Sequence, residues 1–185
     1  VLNHAAPSLN LARLRQRAPR GADVQIIVAD GLSAVACQGA GKALAEALRA
    51  ACQARGLTVG ALVGAKFARV WLEDEIGQEL DARVAAILLG ERPGLGTGDG
   101  LSAYLVYAPR IGKTDGDRNM MSNIHARGTP PAQAAARLAA LAQAMIAQGT
   151  SGVTLDLAQV DGGAELGVGY RAPQVRQRLV EHGGG

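Results

Sequence analysis

The stretch Val84-Ala85-Ala86-Ile87-Leu88-Leu89 decides the fold. Six apolar residues without a polar break fit a strand covered on both faces, as in a parallel sheet between helices. It runs into Gly90-Glu91-Arg92-Pro93-Gly94, a turn-prone string. Upstream, a helix is predicted over about 71–80, a strand over 57–63, and an Ala-rich helix over about 33–55 that Gly56 stops. Gly39 and Gly41 weaken the first half of that helix. Earlier still, Val24–Ala29 (VQIIVA) is short, β-branched and bounded by Asp30-Gly31, a second buried strand. Downstream, 102–107 reads as a fourth strand, stopped by Pro109, and the polar stretch 110–127 as a structured loop. Thr129-Pro130-Pro131 opens a helix to about Gln148, with Thr129 at the N-cap, Pro130 at the first position and Gly149 as the stop. Strands alternating with helices predict an α/β class, a Rossmann-like domain with a mainly parallel sheet flanked by helices.

That domain spans 22–152. Before it lies an Arg-rich segment, 1–21, and after it a Gly-rich tail, 153–185, with a short helix expected near 173–180. The chain opens on Val1 and reads as a fragment of something longer. Its 185 residues suit one domain. The net charge of +3 is too thin for the cation stripe that duplex DNA requires, and 3% aromatic content gives no stacking platform for single strands. No nucleic-acid partner is expected. No apolar run reaches a membrane span, and a secretory signal is lacking, so the expected location is cytoplasmic. Cys37 and Cys52 lie fifteen residues apart in one predicted helix, where they cannot meet, and no His or Cys cluster suggests a metal.

The strand–loop–helix setting prompts a search for phosphate sites. Ile111-Gly112-Lys113-Thr114 ends like a P-loop, but the glycine needed five residues before Gly112 is Tyr107. Gly94, Gly96, Gly98 and Gly100 follow a strand, yet a dinucleotide fingerprint would need glycine at Asp99 or Leu101. No nucleophile elbow or carboxylate pair stands out, and Glu73, Asp74 and Glu75 are accounted for by the dipole of a helix start. His125 reads as a helix-entry contact. No catalytic residue is assigned. What remains is position: ligands of open α/β sheets sit beyond the carboxyl ends of the strands, here at 30–33, 66–70, 90–94 and 110–123.

Those segments together resemble one family. Ala29-Asp30-Gly31-Leu32-Ser33, Gly90-Glu91-Arg92-Pro93-Gly94-Leu95-Gly96, Arg118-Asn119-Met120-Met121-Ser122-Asn123-Ile124-His125 and Gly128-Thr129-Pro130-Pro131 are similar to the small subunit (light chain) of ethanolamine ammonia-lyase, over about 22–152. The resemblance implies the small subunit of an adenosylcobalamin-dependent ammonia-lyase. In it the partner large subunit converts ethanolamine to acetaldehyde and ammonia by a radical route, while this chain covers part of the cobalamin. Packing in a bacterial microcompartment is left open. By the family pattern three residues contact the cofactor. Val70 offers an apolar surface, and Glu91 accepts hydrogen bonds from the corrin amides. Met120 stands where the family usually carries Cys; it lacks the thiol donor, yet its flexible side chain can pack on a large macrocycle. All three fall in stretches read as loops at strand ends. The family's usual N-terminal segment, which grips the large subunit, is not matched here. The rival readings are a non-catalytic α/β module for a protein or small anion, and a nucleotide enzyme using 94–100.

Overall fold

The computed structural model describes residues 11–91, 100–160 and 167–168. Two strands form its centre. β1 (Val24–Ala29) and β3 (Val84–Gly90) run parallel, in register from Val24↔Val84 to Ala29↔Leu89, and every residue of β3 is buried. β2 (Val63–Ala65) adds in parallel to the outer side of β1. On the far side of β3 stand β4 (Leu101–Tyr107), β5 (Arg118–Ile124) and the two-residue β6 (Gly167–Val168), each antiparallel to its neighbour. The order is β2-β1-β3-β4-β5-β6.

The chain is therefore α/β with a mixed sheet, and the expected mainly parallel sheet is corrected. The reason lies in the connections. Residues 91–100 and 108–117 are the only chain between β3 and β4 and between β4 and β5, and ten residues are too few for the crossover that would return the chain to a parallel start. The doubly wound pattern is confined to β2-β1-β3.

Alternation along the strands gives the sheet two apolar faces. On one, Val24, Ile26, Val84, Ala86, Leu88 and Leu105 pack under two helices. The first of these, α3 (Lys42–Ala54), contributes Leu44, Leu48 and Cys52; the second, α5 (Pro131–Gln148), contributes Leu138, Leu141 and Met145. On the other, Ile27, Ala29, Ile87 and Leu89 pack under Leu72, Ile76 and Leu80 at α4 (Leu72–Glu79). From the N-terminal Arg-rich stretch, α1 (Leu11–Arg17) places Leu14 against this second core and pairs Arg15 with Glu79. Both cysteines are free thiols, and burial pushes that of Cys52 up to about 11.

Several local readings shift. The helix over 33–55 begins as α2 (Ala34–Ala36), capped by the Ser33 hydroxyl, and widens into a π turn at Cys37–Gly41 before α3, so the two glycines mark an irregularity and not a break. The second strand shrinks to Val63–Ala65, with one bridge from Val59 to Val24. The buried Gln25 side chain donates to Ala61 O (2.7 Å), taking an acceptor that a longer strand would use. Pro130 caps α5 and Pro131 starts it, one residue later than expected, because Thr129 is held by main-chain bonds to Asn123 and His125. Gly149 ends it in the left-handed region, as expected (φ 69°). Leu155 and Val160 join the first core. The helix expected near 173–180, and Gly94–Gly98, lie outside the described residues.

Candidate functional site

The order β2-β1-β3 reverses direction at β1, and ligands of open α/β sheets sit beyond the carboxyl ends of the strands at such a point. Main chain packs tightly there. Leu32 N donates to Gly90 O (2.8 Å) and Ser33 N to Asp30 O (2.7 Å). Gly31 has φ +52°, and a Cβ there would stand 2.5 Å from Gly90 O. A Cβ on Gly90 would press on the Ser33 and Asp30 carbonyl oxygens. Backbone cannot give way cheaply, so Gly90→Ala is expected to lower stability by about 1–3 kcal/mol in urea unfolding. An unchanged midpoint would contradict this close approach.

Leu32 and Val35, after β1, and Phe67 (73% exposed) and Trp71 (61%), between β2 and α4, all present their side chains to solvent. Phe67 has φ +54°, which turns the chain after β2 toward α4. Val70 then comes just before α4 and packs, half-buried, on the second core.

Glu91 follows β3 and continues its ladder, N–H to Gly100 O (2.9 Å). By alternation it shares the α4 face with Ile87 and Leu89. Ile87 pairs with Tyr104, and Tyr104 with Met120. Directly paired residues share a face, so Glu91, Tyr104 and Met120 line the α4 side together. Val70 packs on that side too. Met120 lies within β5 and not in a loop, about 13 Å below Glu91 along the strand direction at ~3.3 Å per residue. Tyr104 is the member that sequence reading missed; its phenol is pushed up by burial first, and then by the charges of Glu91, Asp115 and Glu73. The alternation of 102–107 was its only available signal.

A buried charge cluster forms the wall between Val70 and Met120. Arg118 Nη1 donates to Glu73 Oε1 (2.7 Å) and Asp74 Oδ1 (2.9 Å), and Nη2 to Asp74 Oδ2 (2.6 Å). The three side chains are 2%, 0% and 4% exposed. Glu73 and Asp74 thus do far more than complement a helix dipole, which corrects the reading of the acidic run. Burial lifts the Glu73 carboxyl to about 8, against the pull of Arg118. Arg118 and Asn119 face inward only because these partners exist, and Asn119 Oδ1 accepts from Gly152 N (2.6 Å). Their polarity is what disguised β5 as a loop.

The donor and acceptor chemistry fits a neutral ring bearing amide groups. Glu91 offers acceptor oxygens at the rim, and Asp30 Oδ1 is buried with no hydrogen-bond partner among the described residues. Acceptors of this kind suit amide N–H donors. His125 is a helix-entry contact, its Nε2 on Asn123 Oδ1 (2.6 Å) and its Nδ1 accepting from Arg127 N (3.2 Å). Lys113 and Thr114, from the P-loop-like string, sit in a turn where Thr114 and Asp117 cap each other. Among the described residues no helix is long and apolar enough to cross a membrane. A family model, ethanolamine ammonia-lyase light chain (EutC), matches residues 6–156 and so covers all of these segments.

Proposed function

This chain belongs to the ethanolamine ammonia-lyase light chain family, and from that membership we propose that it covers part of an adenosylcobalamin bound with the large subunit. Bound adenosylcobalamin supplies the radical chemistry, and the large subunit handles ethanolamine. This chain orients the ring and keeps water from its side of it. Val70 and Met120 supply apolar contact and Glu91 accepts from ring amides; the loops after β2 and β3 of the Rossmann-like half present Val70 and Glu91, and β5 presents Met120. The single observation behind this reading is that Glu91 and Met120 share the sheet face on which Val70 packs.

The test is affinity. In the two-chain complex, Glu91→Ala should weaken cobalamin binding by about 1.5–3 kcal/mol, the worth of a hydrogen bond to a charged group. An unchanged dissociation constant, read from the absorbance of the bound corrinoid, would remove Glu91 from the site.

A further inference from the structure

We propose that Arg118, gripped by Glu73 and Asp74, is a positioning residue, and that the cluster acts as a proton-dependent clamp setting the Val70 turn against the Met120 strand. The inference rests on the cobalamin-covering reading and deepens it.

The geometry carries it. Glu73 and Asp74 occupy the first turn of α4, and Glu73 N donates to Val70 O (3.1 Å), so the carboxylates and the Val70 turn move as one piece. Arg118 is two residues before Met120 on β5, and alternation puts both side chains on the α4 face. The guanidinium is therefore the direct link between the two candidate contact surfaces. Arg118 also reaches Lys113 O (3.4 Å), which ties in the preceding turn.

Charge makes the link responsive. One guanidinium faces two carboxylates, so the cluster is neutral only with a proton on Glu73. Among the described residues Glu73 Oε2 is buried without a hydrogen-bond partner in good geometry, which makes its negative form costly. The surrounding groups are Asp74 and Glu75 on α4, Arg118 on β5 and Tyr104 on β4. Lys113, Asp115 and Asp117 lie in the preceding turn, and Glu91 follows β3. On the α1 side, Glu79 is held by Arg15. The Tyr104 phenol is held above its ordinary value by burial, and does not compete. A carboxyl raised by burial keeps its proton until the pH passes through about 8. Above that, a surplus buried negative charge favours lifting the start of α4 away from β5 and separating Val70 from Met120.

The experiment is a titration of the two-chain complex with cyanocobalamin, followed by absorbance, between about pH 7 and about pH 9. Affinity in the wild-type complex should fall about 5-fold or more across that range, the low end of coupling between sites in one protein. Glu73→Gln, neutral and of the same shape, should bind as the wild type does at the lower pH and lose the pH dependence. Melting curves of both complexes verify that each is folded throughout. A purely structural Glu73 would leave the two pH profiles parallel, and that result overturns the clamp alone. No cobalamin binding at any pH would overturn the reading on which the clamp stands.

Discussion

Arg118→Ala is expected to cost about 3–5 kcal/mol of folding stability, the usual penalty for removing one partner from a buried ion cluster. The loss comes mainly from what stays behind. Asp74, 3% exposed, would lose both guanidinium donors to its carboxylate, and Glu73 would lose the Arg118 donor to its Oε1. The contrasting variant is Arg83→Ala. Arg83 pairs with Asp23 at 3.0 Å, but its side chain is 50% exposed, so solvent already screens the pair and the expected loss is under about 1 kcal/mol. Urea unfolding of the two variants should separate them clearly. Equal midpoints would mean that the cluster is hydrated in solution, and the clamp would lose its physical basis.

Ammonia release from ethanolamine, dependent on adenosylcobalamin, should require both chains. With the large subunit alone it should fall to background, and adding this chain should restore it. The expectation follows from the division of labour proposed above: one side of the ring is left to water when the light chain is missing. Activity of the large subunit alone at the level of the complex would show that the covering role is dispensable. This effect is the largest of those expected, because it removes a whole wall of the site and not one contact.

The parts of the fold legible in the sequence were those where burial alone dictates the pattern. VQIIVA and VAAILL had to be buried strands, and they are the parallel centre of the sheet. The last strong helix announced itself through two prolines and a glycine. What stayed hidden was set by partners distant in sequence. Strand β5 carries Arg118 and Asn119 into the interior, and nothing local reveals that Glu73, Asp74 and Gly152 will receive them. The sense of β4 was equally invisible in its own residues, since only the ten-residue return from β3 forces it to be antiparallel.

The candidate site divides the same way. Glu91 lies at a strand end that glycine and proline punctuate, so its place at the rim could be read directly. Val70 and Met120 came from family resemblance; only register puts Met120 on the face of Glu91, and only packing on the second core puts Val70 on that side. Tyr104 needed the register too, because its cross-strand pairing with Met120 is what brings it beside the other three.

The central claim is that the α4 side of this sheet lies against a corrin ring. A structure of the two-chain complex with cobalamin bound tests it most directly. The account predicts Val70 and Met120 in van der Waals contact with the ring and Glu91 within hydrogen-bond distance of its amide groups. A complex that turns this face toward solvent, with the ring held elsewhere, would contradict it.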